Sequence, residues 1–134
     1  MAKLTTIEGV GESYAQKLQA AGIRGTDALL KKGSTAAGRK QIAAACEISE
    51  KLVLRWVNYC DLFRIKGIGG EFAELLEAAG VDTVPELAKR KPENLLTKML
   101  AVNAEKALVR RTPTVQAVSD WVEQAKALPR VVNY

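Results

Sequence analysis

Histidine is missing from this sequence, and cysteine occurs only twice in its 134 residues. Structural zinc sites are built chiefly from these two residue types, so the chain has almost no means of forming one. No serine or cysteine has a recognisable base partner, and no acidic cluster has the spacing of metal ligands. We therefore predict a non-enzymatic protein with no catalytic residues, no metal, no cofactor and no evident small-molecule substrate.

Long apolar runs are missing as well. No stretch approaches the roughly 18 residues that a membrane-spanning helix needs, and the first residues lack the apolar block of a signal peptide. Cys46 and Cys60 are too few for a disulfide framework, and we interpret each as a small buried side chain. The expectation is a cytoplasmic protein without a membrane partner.

Aromatic residues make up only 5% of the chain. Tyr14, Phe72, Trp56 and Trp121 fall on apolar faces at helical spacing, which indicates core positions rather than a platform for stacking bases. Residues 129–134 follow the last helical pattern, and we expect them to form a loose tail.

The sequence does contain an internal repeat. Residues 7–30 align without a gap on residues 65–88, with 9 identities in 24 positions. Each copy opens with an apolar residue between two glycines, Gly9-Val10-Gly11 and Gly67-Ile68-Gly69. Glycines allow the backbone to turn sharply there, and the amide groups that begin the following helix have no partner within it. Such helix starts favour anions, and phosphate in particular.

These residues resemble the helix-hairpin-helix family, whose pattern is apolar-x-Gly-apolar-Gly-x-x-x-Ala-x-x-Leu-x-x-x-Gly-apolar. All eight pattern positions are filled in both copies: Ile7, Gly9, Val10, Gly11, Ala15, Leu18, Gly22 and Ile23, and Ile65, Gly67, Ile68, Gly69, Ala73, Leu76, Gly80 and Val81. The junction 56–69 also resembles a bacterial family of uncharacterised function with paired helix-hairpin-helix units. The resemblance implies a fold, and in DNA-binding members the turn amides hold a phosphate.

No stretch alternates as a strand does, so we predict an all-α chain. It should form two tandem helix-hairpin-helix units, residues 1–62 and 63–134, each of four to five short helices, packed into one compact body. Each unit should also contain a degenerate hairpin, at 46–49 and at 102–104. In the second unit, the helix that starts at Pro92 should therefore end near Val102.

The two hairpins differ in charge. Family members that bind DNA usually have a basic residue two positions after the second glycine, whereas this chain has Ser13 in the first copy and Glu71 in the second. Glu71, Glu74 and Glu77 form an acidic stripe that repels DNA. We interpret the second hairpin (Gly67, Ile68, Gly69) as structural or partner-binding, and we consider phosphate contact at the first (Gly9, Val10, Gly11, Ser13).

Positive charge is concentrated in the first half. The net charge is +5 and the pI near 9.3, with most of the excess before residue 65. We predict a basic corner where two helices fold back on each other, made of Lys31, Lys32, Arg39 and Lys40. The alternative is that the lysines only stabilise a helix C-terminus.

Two functions remain open. The first is sequence-independent binding of DNA or RNA through hairpin amides and the basic corner, which would contact the backbone rather than the bases. The second is a protein-interaction or assembly module with no nucleic-acid role, in which the acidic helix 70–79 of one molecule meets the basic 31–40 corner of another molecule or of a partner.

Overall fold

A computed structural model describes residues 2–134 of the chain. In this part the chain forms a short 3-10 helix, Leu4–Thr6, and eight α-helices without any strand. The prediction of an all-α protein is confirmed. The helices are α1 (Glu12–Ala20), α2 (Thr26–Lys32), α3 (Ala36–Cys46), α4 (Glu50–Leu62), α5 (Gly70–Ala78), α6 (Val84–Ala88), α7 (Pro92–Lys106) and α8 (Val115–Ala127).

The chain divides into two compact units. The first takes the chain up to Asp61 together with Val131–Tyr134, and the second is Leu62–Arg130. The end of the chain therefore belongs to the first unit, although the sequence had placed it in the second. Its attachment includes a hydrogen bond from the Asn133 amide to the carbonyl oxygen of Ser34, with an N···O distance of 2.8 Å.

Local signals in the sequence explain where the helices of the first unit begin. Thr35 precedes α3, and its hydroxyl accepts a hydrogen bond from the Gly38 amide at 3.1 Å. Ser49 precedes α4, and its hydroxyl accepts from the Leu52 amide, also at 3.1 Å. Such caps satisfy amides that the helix leaves unpaired. Between these ends, apolar residues at helical spacing form the unit's core, which includes Leu18, Ile23, Leu29, Ile42 and Trp56.

The second unit follows a similar order. Pro85 lies in the first turn of α6 and Pro92 is the first residue of α7, positions at which proline is tolerated because no helical bond is lost. Thr114 caps α8 by accepting from the Ala117 amide at 3.1 Å. Helix α8 packs against α6 and α7, and α5 packs against α7. Their buried residues include Leu75, Leu76, Leu87, Met99, Val118 and Trp121.

The predicted break at 102–104 is not where α7 ends. The helix continues to Lys106, and the chain leaves it at Ala107, which has a left-handed φ of 49°. The side chain of Asn103 does not interrupt the helix, because it bonds to a residue beyond it: it accepts from the Val109 amide at 2.9 Å and donates to the Val109 carbonyl at 3.1 Å. The equivalent turn of the first unit, at Glu47 with φ 55°, lies where it was predicted.

Both tryptophans and both cysteines take the predicted core positions, whereas Tyr14 and Phe72 are only half-buried. Trp56 packs against Tyr14 with ring centroids 5.0 Å apart, and Trp121 packs against Phe72 at 5.2 Å. Both tryptophans are buried. Both cysteines are free and buried, and burial raises the pKa of the Cys60 thiol far above its usual range.

Candidate nucleic-acid interface

The first hairpin joins the 3-10 helix to α1. Gly9 has φ +91°, a conformation that side chains strongly disfavour. The tight turn is closed by the Val10 amide, which donates to the Ile7 carbonyl oxygen at 3.1 Å. Val10 is only 4% exposed, so its side chain anchors the turn in the core of the unit. As a result, the backbone of Gly11 lies at the surface immediately before α1.

The amides that follow this turn form the candidate anion site. The first bond of the helical pattern runs from the Ala15 amide to the Gly11 carbonyl at 2.9 Å. Within residues 2–134, the backbone amides of residues 11–14 donate no hydrogen bond. Gly11 offers no side-chain cap, and nothing lies within 4 Å of the place where a Cβ on Gly11 would be. The helix start is therefore open to a phosphate.

Two of the nearby cations share a hollow with Glu12 from the first turn of α1, and a third, Lys17, lies in the last turn of that helix. Lys3 and Arg24 line a hollow of about 190 Å³ together with Thr5, Glu12 and Gln19. The ammonium of Lys17 lies 5.9 Å from the ring centroid of Tyr14. Glu12 opposes them, so the local excess of positive charge is modest. Arg24 was not among the predicted site residues, although it directly follows Ile23, the last residue of the first hairpin pattern.

The predicted basic corner is only partly present. Lys31, Lys32 and Lys40 are exposed, as predicted, but Arg39 is only 6% exposed. Its guanidinium donates to the Gly33 carbonyl and to the Asn133 carbonyl, both at 2.8 Å. The prediction that Arg39 belongs to an exposed patch is therefore wrong for this conformation.

Close helix packing explains why Arg39 turns inward. A Cβ on Gly38 would collide with the carbonyl oxygen of Lys32, and a Cβ on Gly33 would collide with Val57. Gly38 thus brings the start of α3 directly against the end of α2, and Gly33 brings the end of α2 against Val57 of α4. Arg39, the next residue after Gly38, then lies over the carbonyl of Gly33. The guanidinium replaces the helical partner that this carbonyl lacks.

The second hairpin has the same backbone but different surroundings. Gly67 has φ +101°, Ile68 is buried, and Gly69 precedes α5 without a side-chain cap. The backbone of Lys66 is held by Gln124, whose amide group accepts from its N–H at 2.9 Å and donates to its carbonyl at 3.1 Å. These hydrogen bonds to the backbone N–H and carbonyl of Lys66 tie the second hairpin to α8.

The acidic stripe also proves uneven. Glu71 is exposed, whereas Glu74 and Glu77 are half-buried and have interaction partners. Partial burial, with the nearby carboxylates of Glu77 and Glu86, raises the pKa of Asp82. The face of α5 and the turn that follows it are therefore negatively charged.

Matching positions of the two hairpin helices thus differ in charge. In the register that aligns Gly9 with Gly67, four pairs change from neutral or basic in the first unit to acidic in the second: Ser13 and Glu71, Gln16 and Glu74, Gln19 and Glu77, Arg24 and Asp82. Two pairs nearer the turns change in the opposite sense, Glu8 and Lys66, and Glu12 and Gly70. The advantage of the first hairpin for an anion therefore comes from the four pairs further along the chain.

Other sites are not found in the part of the chain that the structure describes. No group of three or more cysteine or acidic side chains there can hold a metal ion. Helices that combine the length and apolar character needed to cross a bilayer are likewise not found among residues 2–134.

Comparison with known families places the chain. The model of the family named Domain of unknown function (DUF4332) matches residues 8–128. The chain belongs to this family. The DUF4332 match covers both hairpins and all eight helices, and it agrees with the predicted resemblance to an uncharacterised family. Searches of curated proteins and of solved structures find no match.

Proposed function

We propose that this DUF4332 protein is a non-enzymatic module that binds the phosphate backbone of duplex DNA without reading its sequence. The proposal includes assigning both hairpins to the helix-hairpin-helix type. The observation that carries it is the open start of α1, where the backbone amides of residues 11–14 have no hydrogen-bond acceptor in the described part of the chain. Such amides, with the positive end of the helix dipole, suit a phosphate oxygen.

The cations of the first unit supply the rest of the affinity. Lys3 and Arg24 line a hollow that reaches Glu12 in the first turn of α1, Lys17 lies in the last turn of that helix, and Lys31, Lys32 and Lys40 are exposed. Lysine at the surface contacts phosphate without distinguishing bases, and binding of this kind weakens steeply with salt because counterions are released. The hairpin fixes one phosphate, and the lysines add sequence-independent attraction.

The sharpest test is Ser13→Glu, which gives the first hairpin the residue of the second. A carboxylate near a helix start stabilises the helix by roughly 0.3–1 kcal/mol, but it repels a phosphate bound there. We expect the variant to melt at the same or a higher temperature while its affinity for a 20-base-pair duplex at 50 mM salt falls about tenfold, equivalent to roughly 1.4 kcal/mol.

The matched control is Glu71→Ser in the second hairpin, which we expect to leave affinity unchanged or slightly higher. Lys31→Ala with Lys32→Ala should weaken binding and lower the slope of log affinity against log salt by up to about 1.8. Binding is followed by fluorescence anisotropy between 50 and 200 mM salt, with a single-stranded DNA and an RNA duplex alongside. No binding to any of these at 50 mM salt would refute the proposal.

A second candidate is an assembly module, favoured by the opposite charge of matching faces. The face of α5 is acidic where α1 is neutral or basic, and the pKa of Asp82 is raised first by partial burial and then by repulsion from the carboxylates of Glu77 and Glu86. A basic surface of a partner or of a second copy would relieve this repulsion. Light scattering at 50 and 500 mM salt tests self-association, since oligomers held by these charges dissociate as salt rises.

A further inference from the structure

The segment Val131–Tyr134 does not form the predicted loose tail. Val132 is 2% exposed. The Asn133 amide donates to the carbonyl of Ser34, and the Asn133 carbonyl accepts from Arg39, both at 2.8 Å. The ring of Tyr134 lies 5.9 Å from the Arg39 guanidinium, within the range of a cation–π contact. The last residues are thus docked in extended form on the first unit, with Arg39 at the centre of their contacts.

This docking completes the burial of Arg39, to which the close packing of α3 against α2 and the bond to the Gly33 carbonyl also contribute. Arg39 lies between Gly38, at the start of α3, and Lys40, which is exposed. It also lines a surface hollow with Ala36, Glu50, Lys51 and Leu54, so it lies near the surface of the unit. Glu50 and Lys51 bring opposite charges to that hollow and largely offset each other. The segment Val131–Tyr134 is therefore the part of the chain that contacts the outward-facing side of the Arg39 guanidinium.

We propose that Val131–Tyr134 is a strap that withholds Arg39 from the basic corner, and that its release lets Arg39 join Lys31, Lys32 and Lys40 in binding the phosphates of duplex DNA. The inference rests on the proposed function. It adds regulation to that function, because the chain binds polyanions more weakly while the strap is docked than it does once Arg39 is released.

The strap is short and lies outside the helical core. It consists of four residues outside any helix, of which Val132 alone has a deeply buried side chain; Asn133 bonds to Ser34 and Arg39 through its backbone, and Tyr134 adds the ring contact with Arg39 and a further interaction. Segments with few buried contacts open at much lower free energy than helices of the core. In contrast, the bond from Arg39 to the Gly33 carbonyl lies within the α2–α3 turn and does not depend on the strap.

The test compares the full chain with a chain that ends at Arg130. Binding of a 20-base-pair duplex is measured by anisotropy between 50 and 200 mM salt. Since one more cation then reaches a phosphate, the slope of log affinity against log salt should steepen by about 0.9 in the shortened chain. Affinity at 50 mM salt should rise about fivefold.

Two point variants separate the strap from other effects of shortening. Val132→Asn places a polar group in the buried position and should reproduce the gain at full length, which also covers the case that the shortened chain folds poorly. Asn133→Ala should leave binding unchanged, because its side chain donates only to the Val131 carbonyl while the strap contacts use its backbone. Melting followed by circular dichroism confirms that each variant is folded.

Arg39→Gln in the shortened chain decides whether Arg39 is the cation released. The inference predicts that this change removes the gain in affinity and in slope, while Arg39→Gln in the full chain leaves DNA affinity where it was. A gain that survives Arg39→Gln, or no gain on removing the strap from a chain that does bind DNA, overturns the inference alone. If neither the full nor the shortened chain binds the duplex, the proposed function fails and the inference fails with it.

Discussion

The two glycines of the second hairpin should respond very differently to alanine. Gly67 has φ +101°, and a Cβ added there would lie 2.8 Å from Nε1 of Trp121. Trp121 is 3% exposed and packs against Phe72, so its ring has no space to move into. Backbone strain of this kind costs roughly 1–3 kcal/mol and overpacking a further 1–3 kcal/mol or so. We expect Gly67→Ala to destabilise the second unit by roughly 2–6 kcal/mol.

Gly69 lies two residues further on and differs in both respects. Its φ of −104° and ψ of −169° suit any residue, and nothing lies within 4 Å of an added Cβ. Alanine there restricts the unfolded chain, which contributes about 0.4–1 kcal/mol, but it is a poorer N-cap than glycine by a similar amount, so we expect little net change in stability at this N-cap position. Gly9→Ala should fall between the two, because its Cβ would be an ordinary 3.7 Å from Trp56 while its φ of +91° remains unfavourable.

Urea unfolding measures these differences, followed by both tryptophan fluorescence and circular dichroism. Gly67 and Gly69 lie in the same unit, so their free energies of unfolding are compared on the same transition. The reasoning is refuted if Gly69→Ala costs as much as Gly67→Ala. Equal losses would mean that the surface next to the helix start is occupied, contrary to the open space that the phosphate proposal needs at the equivalent Gly11.

Three further predictions concern single side chains. Asn103→Ala should lower stability by roughly 1–3 kcal/mol because it leaves both polar groups of Val109 without their partner; an unchanged urea midpoint would contradict this. Because burial raises the pKa of the Cys60 thiol, iodoacetamide at pH 8 should leave Cys60 unmodified in the native chain and modify it in urea, as mass spectrometry detects. Rapid native labelling would show that the site opens. Folding raises the pKa of Asp82, so ionisation destabilises the native state as pH rises through that pKa. Asp82→Asn should therefore raise the melting temperature at pH 7 and change it little at about pH 3; equal effects at both would exclude the charge as the cause.

Most of the local structure was predictable because its causes are local. Gly9 and Gly67 take positive φ in turns that the sequence pattern marks, Pro92 begins a helix as expected, and the Thr35 and Ser49 hydroxyls cap the helices that follow them. The end of α7 was not predictable in this way. Asparagine is a residue type that often ends a helix, but the Asn103 side chain hydrogen-bonds to the backbone of Val109. Only the path of the loop that follows α7 brings Val109 within reach.

The candidate site likewise combines features that the local sequence predicts with one that depends on tertiary contacts. The sequence by itself determined the all-α fold, the hairpin turns and the placement of Lys31, Lys32 and Lys40, since these follow from backbone preference and helical spacing. Only the tertiary structure decided the position of Arg39. Its partner Asn133 lies 94 residues away along the chain, and a guanidinium buried against distant carbonyls leaves no periodic signal in the sequence around it. An arginine in a basic stretch is expected at the surface until the folded chain supplies acceptors that compensate for its burial.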